Sequence, residues 1–284
     1  MLRHQVLDRP DAAALVAQVA GWDAGRRYVG AELHAGDLGW HLRGPDQVLA
    51  GTVHGWWRAD GLVAVAEIED ATARPRVRPD LRADPEVAAA VADVVDALPG
   101  EQQWSEAADD SALRFELAAR GWSLDPDPWT NLWADGARWE VADRGEVVRA
   151  ADDVSGRVTV QRHGFARSTF DEPSWHRMAA GPGYRPDLDL VVRHDGVAVA
   201  AGTAWLSVPG GPAYLEPLAT HRDHRGRGYG RACVRALVDA CLAAGASGLS
   251  VATPSSNTGG VAAYVSAGMV PVQTLQGLTR RRGA

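Results

Sequence analysis

The chain has 284 residues and no lysine: its 29 basic residues are all arginine, against 36 acidic ones, for a formal net charge of −7. Hydrophobic residues at 46% and charged ones at 23% are ordinary for a globular protein and exclude a largely disordered chain. The acidic balance speaks against a protein that coats nucleic acid or an anionic membrane.

Taken in chain order, the N-terminus (Met1 to Pro10) has no apolar run of the secretory kind. Asp11 to Ala20 reads as a helix started by Pro10 and Asp11. Gly39 to Arg43, Val48 to Trp57 and Leu62 to Glu69 read as strands between Gly, Pro and Asp turns. Pro85 to Leu98 is a helix with Pro at its start and an apolar face through Val87, Val91, Val94, Val95 and Leu98. Gln102 to Ser105 reads as a short strand, Ser111 to Arg120 as a helix stopped by Gly121, and Trp129 to Ala134 as a strand. The polar stretch Asp135 to Gly145 is the expected boundary, dividing the chain into 1–138 and 139–284. Trp139 inside it is expected to dock on a domain, because a free linker would leave a large apolar ring exposed.

The second part repeats the alternation. Asp153 to Ser168 and Glu172 to Ala180 read as helices, then Leu188 to Arg193, Val197 to Val208 and Ala213 to Thr220 as strands. Gly228 to Ala244 is a long amphipathic helix, Gly248 to Thr253 a strand, Gly259 to Ala267 a helix, and Met269 to Thr279 a closing strand. The longest mostly apolar stretch, Val197 to Val208, is well short of the roughly 20 residues of a membrane span. The expectation is a cytoplasmic α/β (α+β) protein. Cys233 and Cys241 on one helix would lie roughly 12 Å apart, at about 1.5 Å per residue. That is beyond the about 7 Å a disulfide tolerates, so both are expected to be free, buried thiols and no zinc site.

Laid against each other, the two parts suggest a duplication. A constant, gap-free offset brings Glu69 onto Glu216, Arg78 onto Arg225 and Gly121 onto Gly268; a slightly different one brings Ala50-Gly51-Thr52 onto Ala201-Gly202-Thr203.

The segment Tyr214 to Gly230 carries the chemistry. A strand ends near Thr220, an Arg- and Gly-rich turn follows, and a helix begins near Gly228. Glycines let backbone amides point inward, and a helix N-terminus adds unpaired donors and partial positive charge. Together these make a diphosphate pocket. The pattern Arg225-x-x-Gly228-x-Gly230 is neither a Walker A loop nor a dinucleotide glycine fingerprint. A Gly-rich turn with solvated arginines would look similar, and Arg222 and Arg227 serve either phosphate or solvent.

On these residues the chain resembles the GNAT superfamily of acetyl-CoA-dependent N-acetyltransferases, whose Arg/Gln-x-x-Gly-x-Gly/Ala signature is matched by Arg225, Gly228 and Gly230. Asn257, Tyr264 and Gly268 match a second element of the family; Phe165, the run from Tyr184 to Val192, and Trp205 resemble a subgroup common in Gram-positive bacteria. The resemblance covers roughly Glu146 to Arg280. It implies two GNAT-like domains, each a mixed twisted sheet flanked by helices. It also implies that acetyl-CoA, with no metal, lies with its pantetheine along Leu218, Ala219 and Thr220 beside a kink at Pro217. The diphosphate would lie on the amides of Arg225, Gly226, Arg227, Gly228, Tyr229 and Gly230. Acyl transfer needs a neutral amine, so a base must take its proton. Glu216 is the candidate, or else only orients the substrate. Tyr264 matches the family's proton donor to the departing thiolate, or else packs on the coenzyme. Asn257 bonds pantetheine or a water, or is an ordinary N-cap.

The N-terminal part has Arg78, Leu81 and Ala83 where the offset puts the signature, with Asp110 for Asn257 and Leu117 for Tyr264. It is expected to be a degenerate GNAT-like domain, walling one side of the acceptor cleft, with its tryptophans, Trp104 and Trp129 among them, mostly in packing and one or two left to line the acceptor pocket. The expected activity is direct acetyl transfer to a small-molecule or peptide amine, by a monomer or homodimer without nucleic-acid or membrane partners. A mycothiol-synthase-like enzyme and a non-catalytic acyl-CoA sensor are the alternatives.

Overall fold

The computed structural model describes residues 1–30, 32–136 and 144–282; Trp139 and most of the expected boundary lie outside the described residues. The first part contains β1 (Arg3–Leu7), α1 (Arg9–Gly21), α2 (Ala35–His41), α3 (Asp46–Leu49), β2 (Val53–Arg58), β3 (Gly61–Glu69) and β4 (Thr72–Val77). It continues with α4 (Pro85–Asp96), β5 (Gln102–Ser105), α5 (Ala112–Ala119), β6 (Ser123–Leu124) and β7 (Trp129–Ala134). The second part contains β8 (Glu146–Arg149), α6 (Val154–Gly164), α7 (Glu172–Ala179), β9 (Asp189–His194), β10 (Val197–Leu206) and β11 (Pro212–Thr220). It ends with α8 (Tyr229–Ala243), β12 (Gly248–Pro254), α9 (Thr258–Ser266), β13 (Val270–Leu275) and β14 (Leu278–Arg281).

Two mixed sheets organise these elements, in the orders β1-β2-β3-β4-β5-β14-β6 and β8-β9-β10-β11-β12-β7-β13. The orders are the same in both sheets once β7 and β14 are seen to be exchanged. Strand β14 runs antiparallel to β5 with Leu278 opposite Ser105, inside the N-terminal sheet. Strand β7 runs antiparallel to β12, with Leu249 opposite Ala134, and also to β13, inside the C-terminal sheet. Each part therefore lends a strand to the other, and the sheets do not divide at residue 138.

The apolar run Leu62–Ala66 fills the middle of β3, fully buried as a central strand should be. Helix α4 turns Val87, Val91 and Val95 into the N-terminal core, and α8 turns Cys233, Leu237 and Cys241 into the C-terminal one. Both cysteines are free, and burial pushes each thiol up to about 12. Among the described residues no helix is long and apolar enough to cross a membrane.

Several local expectations fail for identifiable reasons. Gly39 to Arg43 is not a strand but the end of α2, whose N-terminus is held by a capping box between His34 and Asp37. The run from Val48 begins in α3 and becomes β2 only at Val53. Strand β4, Thr-Ala-Arg-Pro-Arg-Val, carries a proline and two arginines and gives no strand signal; its arginines are held by acids of the packed interior. The closing segment is two strands in different sheets, separated by Gln276-Gly277.

The exchange makes a sharp expectation. A fragment beginning near Gly145 lacks β7, which separates β12 from β13, so both would expose unpaired edges. Expressed alone, it is expected to be insoluble, and limited proteolysis of the whole chain should release no stable C-terminal piece. A soluble, active fragment starting at Gly145 would contradict the arrangement.

Candidate active site

Strands β11 and β12 are parallel and pair only from Pro212 opposite Gly248 to Tyr214 opposite Ser250. Beyond Tyr214 they part. On its other side β11 stays on β10, with Leu218, Ala219 and Thr220 opposite Gly202, Ala201 and Ala200 after a register shift. The shift falls at Glu216 and Pro217, and proline cannot donate to a ladder. The result is a cleft with Glu216 at its base and the unpaired β12-facing edge of Leu218–Thr220 along one wall.

The loop after β11 makes a single 3₁₀ turn at Arg222–His224 and enters α8. Gly226 and Gly228 have φ of +73° and +85°, where a side chain is strained, and a Cβ on Gly230 would lie 2.8 Å from Thr220 Oγ1. The N-cap of α8 is Gly228, and no side chain caps the helix, so its first-turn amides face outward as donors. Arg225 donates to the Gly164 carbonyl at 2.6 Å and so ties the loop to the end of α6. The Arg227 side chain is exposed, whereas that of Tyr229 is packed in the core, which leaves only its amide for a ligand.

The matching loop in the N-terminal part is built against an anion. The amide of Arg78 bonds Val63 O at 2.8 Å, as that of His221 bonds Val199 O at 2.9 Å, and a 3₁₀ turn follows each. Arg78 is thus the counterpart of His221, not of Arg225, because the stretch from this loop to Leu117 is four residues shorter than that from the C-terminal loop to Tyr264, one of the four falling in the loop itself. Asp84 caps α4, its carboxylate accepting from the amides of Glu86 and Val87, and Pro85 has no amide to give. An internal carboxylate fills the place a diphosphate would need. Glu69 ends β3 rather than standing in β4, so it is not the counterpart of Glu216; counting back from the shared amide bond, Arg74 falls at the Glu216–Pro217 bulge, where β11 carries one residue more than β4. Ala50–Thr52 lies in the turn before β2 and is likewise no counterpart of Ala201–Thr203, which is in β10. The match of Leu117 to Tyr264 does hold: Trp122 N bonds Leu117 O, and Met269 N bonds Tyr264 O, both at 3.1 Å.

Across the cleft from Glu216 stand charges from the N-terminal part. Arg74 donates to Asp37 Oδ1 at 2.8 Å and to Glu106 Oε1 at 2.9 Å. His41 Nδ1 lies 3.2 Å from both Glu67 and Glu69, and its other nitrogen is 2.7 Å from Thr52 Oγ1. Burial alone would lower His41, but the two glutamates raise it to about 9. Burial, followed by the nearby Asp37 charge, lifts Glu216 to about 7 against the pull of Arg74 and Arg43. Burial, with Glu216 and Cys233 beside it, raises the Tyr264 phenol, so that it keeps its proton. Glu216 and Tyr264 are brought to one place. Asn257 is the N-cap of α9: its Oδ1 accepts from Gly260 N at 3.1 Å and its Nδ2 donates to Thr253 Oγ1 at 3.0 Å.

A cavity between the two parts is lined by Arg74, Trp104, Glu106, Trp129, Tyr214 and residues of the Leu275–Gly277 crossover. Of these, Arg74, Glu106 and the Leu275–Gly277 crossover were not legible in the sequence as site residues. Only the alternation of Glu67 and Glu69 on one face of β3 could have signalled acids directed at a site.

This fold, two sheets of the same strand order with a splayed parallel pair and a glycine loop leading into a helix, is that of tandem GNAT-like domains. Residues 159–269 match the model of the Acetyltransferase (GNAT) family. No curated protein matches the sequence. Among solved structures, a tandem GNAT protein from the clavulanic acid biosynthesis pathway, without AcCoA, is 17% identical with a TM-score of 0.63, covering 100% of this chain and 99% of its own. A GNAT-family acetyltransferase from Colwellia psychrerythraea is 13% identical, TM-score 0.61, covering 99% and 100%. A GCN5-related N-acetyltransferase from Sphaerobacter thermophilus is 17% identical, TM-score 0.57, covering 100% and 97%. These likenesses extend over both halves and describe the fold.

Proposed function

We propose that this protein is an N-acetyltransferase that uses acetyl-CoA on its C-terminal half and an amine acceptor held between the halves. The observation that carries the reading is the uncapped N-terminus of α8, opened by Gly226 and Gly228, next to the unpaired edge of β11 that leads to Glu216. Acetyl-CoA bound there supplies an activated acetyl thioester. The amides of Arg225 to Gly230 hold the diphosphate, and those of Leu218 to Thr220 align the pantetheine as a further strand. Asn257 serves the site by fixing the start of α9, and with it Tyr264.

Glu216 takes the proton of the amine, whose nitrogen forms a bond to the acetyl carbon. The carbon–sulfur bond breaks with its electron pair going to sulfur, and Tyr264 donates its phenol proton to that thiolate. A carboxylate near 7 suits the first task at neutral pH, and a phenol that keeps its proton suits the second. The N-terminal loop, closed by Asp84, takes no coenzyme, so one site per chain is expected.

The test is acetyl-CoA consumption against polyamines, amino acids, aminoglycosides and peptides, with acetyl-CoA titrated by calorimetry. Absence of binding would remove the reading. Tyr264→Phe is expected to lower kcat by at least about tenfold while leaving the acetyl-CoA Kd near its original value, because the ring still packs. A variant with full turnover would take the proton-donor role from Tyr264.

A further inference from the structure

The site contains more acid than base. Five carboxylates, Asp37, Glu67, Glu69, Glu106 and Glu216, gather there around Arg43, Arg74 and His41. Fully ionised, they leave two negative charges in excess. Arg74 cannot cancel these, because Asp37 and Glu106 already share it.

One acid points to what supplies the missing charge. Glu106 is 8% exposed and lines the cavity between the halves; its Oε1 is on Arg74, but its Oε2 is buried with no hydrogen-bond partner. A buried carboxylate oxygen left without a donor is costly, more so than a neutral acceptor. Beside it the cavity walls are aromatic. Trp104 and Trp129 lie with ring centroids 6.1 Å apart and planes tilted by 37°, and the Trp104 indole is fixed by its 2.6 Å bond to Asp125. Tyr214 adds a third ring to the lining. Aromatic faces attract cations, and a carboxylate oxygen accepts from an ammonium.

We propose that the acceptor is a dicationic amine, with one nitrogen acetylated at Glu216 and a second, charged nitrogen held by Glu106 beside the packed pair of Trp104 and Trp129. The idea rests on the acetyltransferase reading and names its substrate class. A carboxylate on the acceptor would meet the excess acids here, so free amino acids and acidic amines fit poorly. A monoamine fits the reacting position but leaves Glu106 unpaired. The bonds made and broken are those of the acyl transfer above, with the distal nitrogen keeping its protons throughout.

The experiment compares putrescine and cadaverine with butylamine and γ-aminobutyrate on the full chain, with acetyl-CoA affinity measured alongside. The diamines are expected to show kcat/KM at least about tenfold above butylamine, with γ-aminobutyrate lowest. Glu106→Gln should erase the preference through KM, with the acetyl-CoA Kd unchanged. Butylamine or γ-aminobutyrate used as well as the diamines would overturn the inference and leave the acetyltransferase reading in place. Loss of acetyl-CoA binding altogether would remove both. Should acetyl-CoA bind with no acceptor turned over, calorimetric titration of the four amines into the coenzyme-A-loaded wild type decides. Tighter diamine binding supports the inference, and equal binding ends it.

Discussion

Glu216→Gln is expected to lower kcat/KM by about 10²- to 10⁴-fold at neutral pH, the usual contribution of a positioned base. The pH profile carries the stronger signature. A base must be deprotonated to act, and Glu216 titrates near 7, so wild-type activity should climb as pH rises through about 7 and flatten above it. The variant should lose that limb and recover part of its rate at high pH, where the free amine is already abundant. The size of the effect follows from burial: a carboxylate near its ordinary value would be ionised at neutral pH but a poorer proton acceptor. Near-normal turnover of Glu216→Gln across the pH range would assign the proton to another acceptor and leave Glu216 with substrate orientation alone.

Gly228→Val is expected to weaken acetyl-CoA binding on the order of a hundredfold, read as Kd by calorimetry. At φ +85° a side chain is strained, by about 1–3 kcal/mol for a residue held in such a region. Each 1.4 kcal/mol is about tenfold in affinity. A β-branched group also stands where the diphosphate must approach the amides. The control is Ala83→Val in the N-terminal loop, where Asp84 already occupies the helix end; there the affinity and the single-site stoichiometry should be unchanged. Two equivalent sites, or equal losses from both substitutions, would refute the assignment of coenzyme binding to one half.

The C-terminal loop was legible because its backbone geometry is written in glycines: Gly228 marks a left-handed turn and Gly230 a close approach that other residues cannot make. Helix α8 and strands β10 and β11 were legible from plain periodicity. What the sequence concealed was pairing across distance. Nothing in Trp129–Ala134 or Leu278–Arg281 says which sheet each joins, since an alternating pattern specifies a strand and not its neighbour. Arg74 was hidden for another reason: charged residues beside a proline read as a loop, and only the acids folded around them make such a strand stable. The duplication was legible as an order of elements, but a gap-free offset misplaced the loop, because the N-terminal part is four residues shorter between this loop and Leu117, and the bulge of β11 shifts Glu216 by one more.

The exchange of β7 and β14 has a consequence for how the chain is made. Domains generally fold in the order of synthesis, the N-terminal one first. Here the N-terminal sheet has a gap between β5 and β6 until Leu278–Arg281 have been made and have left the ribosome. The first half must therefore wait, with two open strand edges, while the second half is translated, and the segment that closes the one sheet follows directly on the strand that edges the other. Order of synthesis and order of completion run in opposite directions, which makes the nascent first half a natural client for chaperones and makes late truncations costly to the domain farthest from them in sequence.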